Sequence, residues 1–385
     1  MCGISISGGT DRTHLISHRG TEHKTIMVDH IRLSHHRLPI QTVDNDEWAM
    51  PYEYAPGLYL LFNGEIYNFR QLKEELVKTR ENIRWRGSSD TEVLLELVEA
   101  YGLEAALNKC VGMFALAIWD RREKVLQLAR DRTGEKPLYY GFSGSCSERV
   151  FLFASELSSI CAYKKFNNSI NLIALSELFR YQAISSPNSI YQGIYQLLPG
   201  HLLTLDSPNE DNLNDSESWW DFTSVISNSL NNQFSNKEEA EFNLEKTLKE
   251  AVKLQSVSDV PLGTFLSGGI DSSLITALLQ SESIEKVKTF TIGFEESEYN
   301  EAPFSKAISE HLGTDHVETY LTLNDAQNLI PSLSSIYSEP FADSSQLPTH
   351  LVCKEARTSG LTVALTGDGG DELFGGYNRY FLGEK

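Results

Sequence analysis

At 385 residues, 41% hydrophobic and 22% charged, the chain is long enough for two domains with separate cores and has the balance of a soluble globular protein. A formal charge of −20 without clustered Lys and Arg excludes the phosphate neutralisation on which nonspecific nucleic-acid binding depends, and no apolar run reaches membrane-spanning length. Five cysteines (Cys2, Cys110, Cys146, Cys161, Cys353) are an odd number without CxxC spacing; this argues against a disulfide framework or a zinc site, and with no leader-like start it points to the cytoplasm.

The chain opens "MCGISISGG". Removal of Met1 would leave Cys2 carrying both a thiol and a free α-amino group, and an α-amino group titrating near pH ~7.7–8.0 can accept the thiol proton. An ordinary small residue at a frayed terminus is the alternative. From there to about residue 206 short strands dominate, "LYLLFNGEIYN", "FALAIWD", "KVLQLARD", "PLYYGF" and "VFLFASE", interrupted by two helical stretches. In "DTEVLLELVEAYG" the residues Leu94, Leu97, Val98 and Tyr101 recur at helical spacing, with Asp90 near the start as a cap. The expected domain is a layered α+β fold with antiparallel sheets, in which Tyr139 and Tyr140 are core and His35 and His36 are strand residues without metal-ligand spacing.

Residues 206–236 shift to Asn, Ser and Asp and read as a connector, with Trp219, Trp220 and Phe222 packing back on a domain. Beyond it strand and helix alternate: "GTFLSGG" then "SSLITALLQS", "KVKTFTIGF" then "EAPFSKAISEHLG", "LTVALTG" then "DELFGGYNRY". That alternation predicts an α/β domain with a parallel, doubly wound sheet over residues 237–385. The stretch 264–273, "TFLSGGIDSS", leaves a strand, turns through two glycines and enters a helix, so its backbone N–H groups form an anion cradle; without a Gly-Lys-Ser/Thr element it is not a Walker A loop. A second such turn lies in "ALTGDGGDELFGGYNRY", with Asp368 and Asp371 at its tip. Asp271 and Asp371 would bring two hard oxygen ligands to one sheet edge, suited to a Mg²⁺ held mostly by nucleotide phosphates, or would serve as helix caps.

The segments "MCGI", "SHRG", "LSHHRLPI", "NGEIYN", "SSDTEV", "GMFALAIWD", "ARDRTGEKPLYYG", "FASEL", "LPGHLLTL", "SDVPLGTFLSGGIDSS", "EPFADSSQLPT" and "LTGDGGDELFGGY" stand in the order of the glutamine-hydrolysing asparagine synthetase family, which the chain resembles over residues 1–380. The resemblance implies an αββα glutaminase domain of the N-terminal-nucleophile type over 1–205, then an ATP-pyrophosphatase-type synthetase domain. It makes Cys2 the thiol that attacks the glutamine amide, and Asn63 and Gly64 the oxyanion hole. Arg37 then grips the substrate α-carboxylate, and Asp90 with Glu65 receives its α-ammonium. Ser267, Gly268, Gly269, Asp271, Ser272 and Ser273 become the pyrophosphate loop. Phe265 or Leu266, Ile292, Gly293, Thr366 and Gly367 line the adenine and ribose pocket. Asp271 and Asp371 hold Mg²⁺, and Asp368 assists deprotonation of the incoming amine.

The implied reaction uses ATP to adenylate aspartate and glutamine to supply the ammonia that displaces AMP. Another carboxylate, such as a sugar acid of a surface polysaccharide, is the alternative acceptor, and a non-catalytic nucleotide-binding relative is a second alternative. Residues 338–350 are expected to border the acceptor pocket. Neither a nucleic acid nor a membrane is an expected partner, and the resemblance allows a homodimer. "HRGTE" stands where the family has "HRGPD", and the segment between Cys2 and "SHRG" is short, so glutamine affinity is expected to depart from the family norm. The family also continues through a mostly helical segment that supplies a lysine to the synthetase pocket, and no residue up to Lys385 matches it. Residues 1–385 alone are therefore expected to hydrolyse glutamine but to amidate poorly.

Overall fold

Apolar runs at strand spacing dominate the first two hundred residues, and they form two stacked antiparallel sheets. The computed structural model describes residues 3–6, 13–40, 50–55, 57–80, 83–144, 149–206, 213, 216–294, 300–378 and 380. Contacts divide the chain into two units, Met1–Gln233 with Ser334–Ala342 and Phe234–Leu333 with Asp343–Lys385.

The first unit runs β1 (Gly3–Ile6), a 3₁₀ segment (Thr13–Arg19), β2 (Glu22–Val28), β3 (Ile31–Arg37), β4 (Tyr52–Ala55) and β5 (Leu58–Ile66). Three helices follow, α1 (Phe69–Thr79), α2 (Asp90–Tyr101) and α3 (Leu103–Lys109). Next come β6 (Gly112–Asp120), β7 (Val125–Arg130), β8 (Tyr139–Ser143), β9 (Val150–Ala154), α4 (Leu157–Cys161) and α5 (Leu172–Tyr181). The run closes with β10 (Ile194–Gln196), β11 (His201–Asp206), β12 (Glu217–Ser218) and α6 (Phe222–Asn231). One sheet has the order β10-β8-β9-β1-β3-β2 and the other β12-β11-β7-β6-β5-β4.

Between them lies a core of Leu33, Tyr59, Leu61, Ala115, Ala117, Leu128, Phe153 and Leu203, among others. The pleat sends Leu60 and Phe62 to the opposite face of β5, also buried, on the side where α2 packs. A strand covered on both faces must be apolar throughout, which is why "LYLLF" does not alternate. Phe114, fully buried and stacked on Trp219 with centroids 6.0 Å apart, illustrates the packing; truncation to alanine would cost about 3–5 kcal/mol. Trp219 does pack back from the Asn/Ser/Asp-rich stretch, its indole N–H donating to the Arg130 carbonyl at 3.2 Å, whereas Phe222 starts α6, a helix without a buried residue.

The second unit runs α7 (Lys237–Gln255), β13 (Leu262–Phe265), α8 (Ile270–Glu282), β14 (Lys288–Phe294), α9 (Ala302–Leu312), β15 (Asp315–Leu321) and α10 (Leu323–Leu329). It continues through α11 (Leu333–Ile336), where the chain crosses to the first unit, and resumes with α12 (Gln346–Thr358), β16 (Val363–Leu365) and α13 (Gly370–Phe374). Its four strands pair in parallel in the order β15-β14-β13-β16. Period-2 alternation covers both faces: Leu262 and Leu365 pack with Val252, Leu278 and Leu279 of α7 and α8, while Phe265 and Ala364 pack with Ala356 of α12. The strand order reverses between β13 and β16, and in such sheets ligands bind where the loops after those two strands diverge.

Residues 334–342 belong to the first unit and are fastened there. Glu339 accepts from the Ile190 amide (2.6 Å), Gln196 Nε2 (2.8 Å) and the Tyr139 hydroxyl (3.2 Å). Ser338 Oγ accepts from the Leu157 amide, and the Ala342 amide donates to the Gln182 carbonyl. Among the described residues no helix is long and apolar enough to cross a membrane.

Candidate active site

Gly3, the first described residue, lies opposite His36 in the β1–β3 ladder, so the start of β1 runs beside the end of β3, where Arg37 sits. Cys2 itself lies outside the described residues. Close approach shapes this edge: a Cβ on Gly20 would fall 2.4–2.6 Å from the backbone of Arg37, so the turn after the 3₁₀ segment requires glycine there. Arg37 is buried and its Nη1 donates to Glu22 Oε2 at 3.0 Å. Across the sandwich His35 Nε2 donates to the Phe62 carbonyl at 3.0 Å, and burial pushes this imidazole down to about 3, so it is neutral.

The next residues of β5 are Asn63, Gly64 and Glu65. Asn63 is fully buried; its Nδ2 reaches Ser155 Oγ at 3.5 Å, and its Oδ1 has no hydrogen-bond partner. Gly64 pairs with Phe114 in β6, and a Cβ there would fall 2.1 Å from the Met113 carbonyl oxygen, so no larger residue fits. Glu65 Oε1 is likewise buried without a partner. Burial and then the neighbouring Asp90 carboxylate push Glu65 up to about 7. Ser89, rather than Asp90, is the N-cap of α2, accepting from the Thr91 amide at 3.1 Å. Asp90 is the first helical residue, and its carboxylate takes the amides of Thr91 (2.7 Å) and Ile66 (3.0 Å), the latter just beyond Glu65. Burial raises Asp90 as well. Two carboxylates sharing a desolvated corner, both disfavoured in their charged form, are chemically suited to receive a cation.

In the second unit Leu266 donates its amide to the Phe290 carbonyl and accepts from the Thr291 hydroxyl, which fixes the chain as it leaves β13. Gly268 takes φ +83°, a left-handed conformation that favours glycine. Ser267 Oγ bonds Ser272 Oγ (2.9 Å), and Ser273 Oγ donates to the Gly269 carbonyl (2.5 Å). α8 starts at a glycine N-cap with no side-chain cap bond, so its first-turn amides are not taken by a side chain of the cap. The loop after β16 presses on this turn: Cβ atoms on Gly367 and Gly370 would fall 2.7 Å from the Ser272 amide nitrogen and 2.4 Å from Asp271 Oδ2. Asp271 and Asp371, each in the first turn of its helix, thus belong to adjoining loops. Two carboxylates fit a magnesium ion that takes its other ligands from phosphate and water; among the described residues no group of three or more His, Cys, Asp or Glu could hold a metal by itself.

Asp368 accepts from the Thr366 hydroxyl at 2.9 Å and is exposed. Ile292 and Gly293 lie at the end of β14, where a Cβ on Gly293 would fall 2.7 Å from the Tyr320 ring. A cavity of about 400 Å³ opens beside Asp271 and residues 366–370, walled on its apolar side by Leu244, Leu248, Ile270 and Leu274.

Residues 1–220 match the glutamine amidotransferase domain family and residues 243–384 the asparagine synthase family. The chain belongs to the glutamine-hydrolysing asparagine synthetase family. A relative from Methanocaldococcus jannaschii, assigned as glutamine-hydrolysing asparagine synthetase 2, is 36% identical over 85% of this chain and 60% of its own. Asparagine synthetases 1 and 3 of Bacillus subtilis are 34% and 31% identical, each over 95% of this chain and over 55% and 59% of their own length. The chain thus spans a little over half the length of these curated relatives. Among solved structures, glutamine phosphoribosylpyrophosphate amidotransferase from B. subtilis aligns at 15% identity with a TM-score of 0.43, over 84% of this chain and 91% of that one.

Within this family member Arg37 ends β3 of one sheet, Asn63, Gly64 and Glu65 lie on β5 of the other with Asp90 at a helix start, and the two glycine turns share one sheet edge. Two further side chains contact that set, Glu22, which holds Arg37, and Ser155, which meets Asn63; Cys353 feels it through charge, its thiol raised by burial and then by Asp368. Glu22 stands within "HRGTE" and Ser155 within "FASEL", but no local pattern marks either as a partner.

Proposed function

We propose that the chain serves glutamine-dependent synthesis of asparagine, its first unit releasing ammonia and its second binding the ATP that activates aspartate. The observation that carries this reading is the presence, in one chain and in this order, of a glutamine amidotransferase domain and an asparagine synthase domain. In the first unit Cys2 Sγ attacks the glutamine amide carbon while the α-amino group takes the thiol proton and passes it to the leaving ammonia. Asn63 Nδ2 and the Gly64 amide face the oxygen on which charge develops. Arg37 receives the α-carboxylate, and Glu65 with Asp90 the α-ammonium; grips at both ends select glutamine over simple amides.

In the second unit the uncapped start of α8 and residues 267–273 take the ATP phosphates, with Phe265, Leu266, Ile292, Gly293, Thr366 and Gly367 around the nucleoside. The aspartate side-chain carboxylate displaces pyrophosphate at the α-phosphorus, and ammonia then displaces AMP, with Asp368 taking a proton from the attacking amine. Asp271 and Asp371 would hold Mg²⁺, which when bound would neutralise phosphate charge. A cytoplasmic address and a homodimer accompany the reading. The test measures glutamate release and ATP-dependent asparagine formation side by side in the wild-type and Cys2→Ala proteins, with ammonia as the alternative donor. The expected result is that Cys2→Ala loses glutaminase activity and keeps nucleotide binding; substantial glutamate release from Cys2→Ala refutes the assignment of the nucleophile.

A further inference from the structure

Lys136 is only 6% exposed, and its ammonium forms neither a hydrogen bond nor an ion pair among the described residues. Burial of the side chain holds its ammonium below the usual lysine range. Its backbone is nonetheless clamped in place. The Asp131 carboxylate, fully buried, accepts the Lys136 amide (3.0 Å) and the Phe114 amide (3.1 Å) through one oxygen, and the amides of Glu135 (2.9 Å) and Thr133 (3.2 Å) through the other. Arg130 Nε donates to the Lys136 carbonyl at 2.8 Å. Phe114 is the β6 partner of Gly64, and Met113 that of Glu65. One carboxylate therefore ties the Lys136 turn to the strand beside the Glu65 corner.

The charges there are few. Among the described residues Glu65 faces Asp90 and Lys136; Lys136 faces Glu135, Arg19, Glu65 and Asp131. Asp131 is occupied by four amides, and Arg19 is bonded to Glu156 at 2.7 Å. Among the described residues the side-chain cation that faces Glu65, the neighbour of Asp90, is thus Lys136. We propose that Lys136 is a positioning residue for glutamine, its ammonium keeping Glu65 charged so that the carboxylate pair accepts the substrate's ammonium. This rests on the assignment of the corner to glutamine. With Glu65 near 7, half of it is ionised at pH 7. A rise of one unit on loss of the lysine would cut that fraction from about one half to about one eleventh, a roughly fivefold weaker binding at pH 7.

The test is calorimetric titration of glutamine into the full chain carrying Cys2→Ala, which prevents turnover, between pH 5.5 and 8.5. Lys136→Met and Lys136→Gln are each added to it, with Lys136→Arg as the charge-conserving control. Met and Gln are expected to move the acid-side loss of affinity to higher pH, with affinities converging towards pH 8.5, while Arg stays within about twofold of the parent. An unmoved midpoint, a uniform loss at every pH, or an Arg variant that behaves like Met overturns the inference. Either neutral variant suffices if the other does not fold. A parent that binds no glutamine at any pH, and a wild type that releases no glutamate, overturn the glutamine assignment and the inference with it.

Discussion

His35 ties the two sheets of the first unit together, and its buried ring makes a pH-dependent contribution to stability whose size follows from the structure. The imidazole is 1% exposed, donates to the Phe62 carbonyl and is pushed down to about 3 from 6.5. Above pH 6.5 the ring is neutral in folded and unfolded chains alike, and its contribution is fully present. As the pH falls below 6.5 the unfolded chain takes up a proton that the folded chain refuses until about pH 3, so stability drops by about 1.4 kcal/mol per unit through that window. At pH 5 the loss is therefore about 2 kcal/mol, set by the unfolded value alone because the folded ring is still neutral. Glutamine at position 35 can still donate an amide proton to Phe62 but does not titrate. Urea unfolding of wild type and His35→Gln at pH 7 and pH 5 isolates the effect from the carboxylates common to both. The stability advantage of the wild type should shrink by about 2 kcal/mol on acidification. A gap that stays constant to within about 0.5 kcal/mol, well inside that figure, would refute the neutral buried imidazole.

Glu339→Ala leaves three donors without their acceptor, and at about 1–3 kcal/mol per buried donor a clear fall in the urea midpoint is expected, smaller for Glu339→Gln; no shift for Ala would mean that the segment is not held there. Gly370→Ala drives a methyl group into Asp271 and should weaken magnesium-dependent binding of a nonhydrolysable ATP analogue about tenfold or more, at a cost of about 1–3 kcal/mol, while glutamate release continues. Wild-type affinity in that titration would place the nucleotide elsewhere. Arg37→Lys gives up bidentate recognition of a carboxylate, and KM for glutamine should rise roughly tenfold with kcat changing less; a fall in kcat at unchanged KM would assign Arg37 to the chemistry instead.

What was legible in the sequence was local. "LYLLFNGEIYN" and "FALAIWD" are strands because their apolar runs are buried on both faces, and the two glycine turns announce themselves because a left-handed residue and close backbone approach admit little else. β15, "DHVETYL", escaped because it is an edge strand of mixed burial with no apolar run. α7 escaped because it buries only Val252 along nineteen residues. The bonds of Arg37 to Glu22, Asn63 to Ser155 and Glu339 to Tyr139 join residues 15, 92 and 200 positions apart, and periodicity carries no signal over such spans. The same limit explains Asp90, which looked like a cap from its place in the helix and proves to be turned back onto the Ile66 amide.

The return of residues 334–342 to the first unit also sets an order of events during synthesis. The last residue of the main body of that unit is Gln233, yet its final segment ends at Ala342, 342 − 233 = 109 residues later. At about 5–20 residues per second the nascent first unit waits roughly 5–20 s for Glu339, during which the Tyr139 hydroxyl, the Gln196 amide and the Ile190 N–H face no acceptor from that segment. Most of the second unit's strands leave the ribosome in that interval, so the first unit is completed only after its neighbour is largely made.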